Sequence, residues 1–403
     1  MRIADVSVPA RPVNVLVFTP TPTHPPIQGN RQRILEMCRA LQCVGAELTM
    51  LYYVADGLSA AAAQQMRESW GDVEVLFTQG FSNRRTLVKH YAIDDWYDQR
   101  ISGAIARICQ RKDFDFCIVN YAWYSKAFEA LPRSVVRIID THDIFGGRAE
   151  RFAEIGLDPK WFHTSVDQET TGLDRADFVI AIQDSEASVL RERTNARVRS
   201  IGFLSPPDFL PARGQAGSGR LKVGYLGSGN PFNVACMRAF AQAADMIPEI
   251  HDRVDIQVAG QVCDALRKGP QPFSLHGVVD SVADFYRSVD VVINPMLGGT
   301  GLKMKSLEAL SFGRPLVATS DAMAGIVSNH PGHQLTDMSA VIDRLVLLAR
   351  EPSRLAEEAH VAREIFLSYR SSQVRAFLSF WSELVDTTKH DGDRSRTMLE
   401  TRP

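Results

Sequence analysis

NPMLGGTGLKMKSLEALSFGRPLVATSDAMAGI, residues 294–326, is the stretch from which the fold can be read. The apolar run Val289–Asn294 before it predicts a short strand that ends at Asn294-Pro295. Gly298, Gly299 and Gly301 follow, where a backbone without Cβ can turn sharply and approach a ligand closely. Lys303–Phe312 has helical character. Leu302, Leu307 and Leu310 are near helical spacing, and Gly313 is the stop signal. Pro315 opens a second strand, Leu316–Thr319. A helix that starts directly after a glycine loop presents unpaired N–H groups and a partial positive charge. This is an anion site, and phosphate is its usual guest. Lys303 and Lys305 would add formal charge there. Glu308 lies three residues beyond Lys305 on the same face, where a carboxylate beside a phosphate site commonly accepts hydrogen bonds from ribose hydroxyls.

GTGLKMKSLEALSFGRPLVAT resembles the donor-binding signature of nucleotide-sugar glycosyltransferases of family 4 (group 1): a glycine loop, a Lys, Leu-Glu-Ala, then Gly-x-Pro and an apolar strand. The resemblance implies the GT-B fold, an α/β architecture of two Rossmann-like, doubly wound parallel-sheet domains facing an interdomain cleft. It also implies a nucleoside-diphosphate sugar as donor, carrying UDP, GDP or another nucleotide, and a sugar, glycolipid or other hydroxyl as acceptor. Retention at the anomeric carbon is expected, and so is a place in bacterial polysaccharide or glycoconjugate biosynthesis. No cofactor and no metal are expected.

Totals bound the other possibilities. At 403 residues the chain is too long for one typical core. With 45% hydrophobic and 23% charged residues its composition is that of an ordinary globular protein. A net charge of −2 argues against a nucleic-acid surface. Residues 1–210 carry 24 Lys and Arg against 26 Asp and Glu, which speaks against strong attachment to an anionic membrane. A weak peripheral contact from a local patch stays open. No run approaches the ~20 apolar residues of a membrane span, and the start is too weakly apolar for a secretory signal. The six cysteines show no Cys-x-x-Cys or zinc spacing and read as buried free thiols of a reducing cytoplasm. A cytoplasmic place, including the inner membrane face, is therefore expected; oligomeric state is left open.

Strand-like and helix-like segments alternate throughout, the pattern of a parallel sheet covered on both faces. Val13–Phe18 is the first strand and Arg31–Val44 the first helix. Leu48–Val54, Val73–Phe77, Cys117–Asn120, Val135–Ile139, Phe178–Ile182 and Arg197–Ile201 complete a first set of strands. The Pro-, Gly- and Ser-rich residues 206–219 read as a linker between an acceptor domain, 1–205, and a donor domain, 220–365. In the second set, Leu221–Leu226 precedes Gly227-Ser228-Gly229-Asn230 and the helix Val234–Ala244. Val254–Ala259, Ser274–Leu275 and Val289–Asn294 follow. Residues 366–385 predict a helix that returns to the first domain, and 386–403, poor in apolar residues, predict a disordered tail.

The resemblance places further residues. The loop GYLGSGNPFNV, with Gly227 and Ser228, matches the one that borders the diphosphate, although Ser228, Asn230 and Asn233 stand where many relatives carry an Arg and Lys clamp. His276-Gly277-Val278 matches a turn whose backbone contacts the base in relatives, so His276 and Val278 are assigned there. His142, in Asp140-Thr141-His142-Asp143 at a strand end, corresponds to a histidine that faces the donor sugar. It joins Lys305 and Glu308 as a catalytic candidate. Gly29, in the glycine-containing loop before the first helix, is assigned to the binding residues, and Thr300, Gly301, Leu302 and Lys303 complete the donor loop. Thr300 departs from the family: relatives have a Glu there, eight positions before Glu308, that contacts sugar hydroxyls. Arg84, Arg85 and Lys89 form a small basic cluster, and His24 lies in the first Pro-rich loop. Two other readings share the residues: a nucleotide-sugar 2-epimerase of the same fold, and a non-catalytic partner protein.

Overall fold

The computed structural model describes residues 11–400, apart from 56, 80–84, 155, 157–160, 212–218, 270–271 and 299–300, with side chains through 387. The chain divides into two compact units. Unit 1 comprises residues 1–204 and 372–403; unit 2 is the continuous segment 205–371.

Unit 1 is a parallel sheet of seven strands: β1 (Val13–Thr19), β2 (Ala46–Val54), β3 (Asp72–Phe77), β4 (Phe116–Asn120), β5 (Val136–Asp140), β6 (Phe178–Ala181) and β7 (Arg197–Ser200). Their order is β3-β2-β1-β4-β5-β6-β7, so the winding reverses between β1 and β4. Side-chain alternation explains the two cores. Leu16 and Phe18 of β1 belong to one buried cluster, and Val13, Val15 and Val17 to another. Both faces are covered, which is why these strands are almost uninterruptedly apolar. The second cluster takes in Val374, Phe377, Phe380, Trp381 and Leu384, one face of the helix Arg354–Glu400. That helix runs on through Asp386, where a disordered tail was predicted. A helix needs no buried face to continue from an anchored one, since each added residue contributes its own hydrogen bond.

Unit 2 is a parallel sheet of five strands: β8 (Leu221–Leu226), β9 (Val254–Ala259), β10 (Phe273–Gly277), β11 (Val291–Asn294) and β12 (Leu316–Ala318). The order β10-β9-β8-β11-β12 reverses between β8 and β11. In open parallel sheets the carboxyl ends of strands flanking such a reversal form the usual ligand crevice. Here those ends lead into the loop at Gly227 and the glycine loop after Asn294. The helix after the glycine loop is Met304–Ser311, one residue shorter at each end than its apolar spacing predicts. Among the described residues no helix is long and apolar enough to cross a membrane.

Candidate active site

The unit 2 site is built around the start of the helix Met304–Ser311. Gly298 and Gly301 have φ of 74° and 75° in the left-handed region, where glycine is favoured. The Gly298 amide donates to Asp321 Oδ2 at 2.7 Å, tying the loop to the turn after β12. Asn294 Nδ2 donates to Ser306 Oγ at 2.8 Å, and Ser306 Oγ donates to the Ala322 carbonyl at 2.6 Å. These bonds lock the helix to the ends of β11 and β12. Lys303 occupies the N-cap position, and its side chain makes no capping hydrogen bond to the first turn. The helix start is thus left for an anion.

Both lysines and the glutamate converge there. Lys303 is buried. Lys305 is partly buried, with Nζ 6.0 Å from the Tyr225 ring centroid. Burial lowers its pKa to about 8, and the neighbouring Lys303 charge adds to the lowering while Cys236 and Glu308 oppose it. Burial also raises the Glu308 pKa; a hydrogen bond from the Tyr286 hydroxyl, 2.8 Å from Oε1, and the Lys305 charge pull it back. Two ammonium groups that destabilise each other beside a helix start are an arrangement an arriving dianion would relieve. Gly301 and Leu302 lead into this site, Leu302 with its side chain buried. Thr300 lies outside the described residues.

The facing loops pack glycine against glycine. The Gly227 amide donates to the Ala259 carbonyl at 3.0 Å, and the Gly260 amide to the Gly277 carbonyl at 2.6 Å. A Cβ on Gly260 would lie 2.2 Å from the Gly227 carbonyl oxygen. Asn230 Oδ1 caps the helix Pro231–Asp245 by accepting from the Phe232 amide, and buried Asn233 donates to the Ser228 carbonyl and Oγ. These two asparagines hold the loop. His276 is exposed, with its imidazole bonded to Gln257 Oε1 on β9, and Val278 is exposed as well.

His142 belongs to unit 1, at the end of β5. Its φ is 61°, and Tyr121, at the end of β4, has φ 72°. The two rings stack with centroids 4.2 Å apart. Positive φ in two bulky residues is strain that the surroundings must hold in place. Asn120 Nδ2 donates to the Phe18 carbonyl at 2.8 Å, which turns its Oδ1 toward His142 Nε2, also 2.8 Å away. That network makes Nε2 the protonated nitrogen and leaves Nδ1 as an acceptor. Burial drops the His142 pKa to about 4, with Asp140 opposing and Arg33 assisting the drop, so the ring is neutral at pH 7. Arg33 forms a buried bidentate pair with Asp140 at 2.7–3.0 Å and donates to the Ile201 and Gly202 carbonyls. Gly29 opens the helix Gly29–Cys43 that carries Arg33.

The sequence reading missed Arg33, Asn120, Tyr225 and Tyr286. Arg33 had a signal: it shares the helical spacing of Met37, Ala40 and Val44, an apolar face where a cation needs a partner. Tyr286 had none, because a tyrosine in an amphipathic helix reads as core. His24, in the first Pro-rich loop, is held between Thr23 and Ser69 hydroxyls at 2.9 and 3.2 Å. In the basic cluster, Arg84 lies outside the described residues, and Arg85 and Lys89 are exposed.

Residues 220–358 match the family model described as Glycosyl transferases group 1. The match lies within the second unit. With two wound parallel sheets the chain is a transferase of the GT-B fold. Among curated proteins the sequence has no match. Solved structures share the fold at low identity. Anabaena Alr3699/HepE, in complex with UDP and glucose, has TM-score 0.61 and 14% identity over 91% of this chain and 100% of that one. Sucrose-phosphate synthase from Thermosynechococcus elongatus has TM-score 0.65 and 12% identity, over 93% and 100%. A glycosyltransferase from Rickettsia africae has TM-score 0.62 and 11% identity, over 93% and 99%. The Lys303–Glu308 segment falls within the matched residues and follows β11, at the sheet reversal of unit 2. Among the described residues no group of three His, Cys, Asp or Glu side chains is placed to hold a metal ion.

Proposed function

We propose that the protein transfers a glycosyl group, with retention, from a nucleoside-diphosphate sugar to a hydroxyl acceptor in polysaccharide or glycoconjugate assembly. The observation that carries this reading is the Lys303, Lys305 and Glu308 cluster at a helix start beside the β8–β11 reversal. HepE has been solved with UDP and with UDP-glucose, which supports a donor of that class. The diphosphate sits on the helix start and Lys305, and the ribose hydroxyls donate to Glu308. As the bond from the anomeric carbon to the β-phosphate oxygen breaks, negative charge grows on the phosphate. A cation and helix amides already in position stabilise that charge without reorganisation. The acceptor oxygen bonds to the anomeric carbon from the departing side, and its proton passes to the phosphate oxygen.

Calorimetric titration with UDP, GDP, ADP and the corresponding diphosphate sugars tests the donor half of the reading. One nucleotide should bind, and Glu308→Ala should weaken it roughly 10–150-fold, the loss of about 1.5–3 kcal/mol for a charged hydrogen-bond acceptor. Absence of binding by every nucleotide would favour a non-catalytic partner protein. Interconversion of the sugar without an acceptor would favour an epimerase.

A further inference from the structure

Glu308 does not stand alone. Its Oε1 accepts from the Tyr286 hydroxyl at 2.8 Å, while no group among the described residues bonds its Oε2. Tyr286 comes from a different helix, Val282–Ser288, and is almost wholly buried. Its ring stacks on Phe312, just past the end of the Glu308 helix, with centroids 4.9 Å apart, and meets Phe285 edge-on at 5.8 Å. The ring therefore has one available position, and its hydroxyl has one charged neighbour. Burial and the Glu308 charge raise the phenol pKa well above its ordinary value, so the hydroxyl keeps its proton and always donates. A terminal carboxylate torsion is broad when unrestrained. Here one oxygen is pinned from behind, and the other is left for a ligand.

Resting on the donor reading above, we infer that Tyr286 is a positioning residue of the donor site: it fixes the Glu308 carboxylate so that Oε2 accepts from the ribose diol of a nucleoside diphosphate. It is too buried to touch the nucleotide itself. Its effect passes through Glu308 alone and is confined to ligands that carry the ribose hydroxyls. It also favours the ionised carboxylate. The charged and titratable groups acting on Glu308 are Tyr286 from the neighbouring helix and Lys305 from its own. Removing the phenol oxygen leaves only the Lys305 charge to offset burial, and the acid limb of nucleotide binding should move to higher pH.

The test uses the full-length chain and two probes, UDP and 2′,3′-dideoxyuridine 5′-diphosphate, or the guanosine pair if GDP binds more tightly. Wild type should prefer the ribonucleotide by about 10-fold or more, one charge-assisted hydrogen bond. Glu308→Gln should lose most of that preference. Tyr286→Phe should cut it about 3–10-fold by weakening UDP while the dideoxy probe binds as before, with the acid limb at higher pH. Site-specific 3-fluorotyrosine at 286 donates more strongly at nearly unchanged volume and should move the limb to lower pH, which keeps the test decisive if the Phe variant folds poorly. If wild type shows no ribose preference, the assignment of Glu308 to ribose fails. If wild type shows it and Glu308→Gln loses it, but Tyr286→Phe and fluorotyrosine change neither preference nor pH limb, Tyr286 is a core residue and the inference alone is overturned.

Discussion

Lys305 is a cation whose pKa is lowered by burial to about 8 from an ordinary 10.5. A bound diphosphate would restore its charge, so binding takes up a proton near that pH. Nucleoside-diphosphate affinity should be flat below pH 8 and fall by up to about tenfold per pH unit above it. Lys305→Arg should remove the decline, and a nucleoside should show none; titrations from pH 7 to 9.5 decide this. In the free protein the sign is opposite. The unfolded chain binds more protons between pH 8 and 10.5, so the stability deficit from burying this charge fades as pH rises through that window. The Lys303 side chain is buried. Lys305→Ala should cost more diphosphate affinity than Lys303→Ala, with nucleoside binding unchanged in the Lys305 variant. The reverse ranking would make Lys303 the phosphate partner. His142 supplies an acid-side signature. Its pKa falls from 6.5 to about 4, so as pH drops through that interval the unfolded chain takes up a proton that the native ring refuses, at a loss of at most about 3 kcal/mol. Glu186, pushed up to about 8 chiefly by burial, acts in the opposite direction over pH 4.5–8. The readout is therefore the difference between wild type and His142→Gln in urea midpoint. That difference should shrink or reverse between pH 7 and 4.5 if the ring is the cause, and stay constant if it is not.

At the scale of elements, the loops after β8 and β9 approach so closely that position 260 requires glycine. Gly260 has φ 92°, and an added methyl would collide with the Gly227 backbone oxygen, which no rotamer change relieves. Gly260→Ala should destabilise the protein by about 2–4 kcal/mol, combining left-handed strain with overpacking. Gly269, with open space around it, should tolerate Ala within about 1 kcal/mol. Urea unfolding of the two variants checks the contrast, and equal losses would mean the loops can part. Elements were also what the sequence showed best. β8 and β9 match their apolar runs to the residue, because a strand buried on both faces has sharp hydrophobic limits. β10 was read as Ser274–Leu275 and spans Phe273–Gly277, since an edge strand with exposed alternate residues offers a weaker pattern.

At the scale of the molecule, unit 1 is discontinuous: its first segment ends at Leu204, and it regains chain at Ser372. Phe380 packs edge-on to Phe178 at 5.4 Å, Trp381 to Phe116 at 6.1 Å, and Arg199 Nε donates to Glu383 Oε2 at 2.8 Å. With Val374, Phe377 and Leu384, five buried side chains at about 1.5–3 kcal/mol each rival the whole stability of a typical domain. A fragment of residues 1–204 should therefore show no cooperative urea transition, and a peptide covering 368–390 should restore one by circular dichroism. A cooperative fragment on its own would show that the helix only decorates the sheet.

The sequence by itself determined the parallel α/β class, the restart of the pattern after the Pro- and Gly-rich stretch, and the candidate donor segment from Asn294 to Thr319. Each of these is local: apolar runs, glycine in a turn and a lysine near a helix start are legible from neighbours in the chain. Only the tertiary structure decided the strand order, and with it the two reversals whose carboxyl ends hold the candidate residues. It alone brought Arg33 to Asp140 across 107 positions and Tyr286 to Glu308 across 22. It alone set the charge states too. Desolvation, the largest cause of the shifts at Lys305, Glu308 and His142, depends on how much of the rest of the chain surrounds a group, and no local pattern carries that quantity.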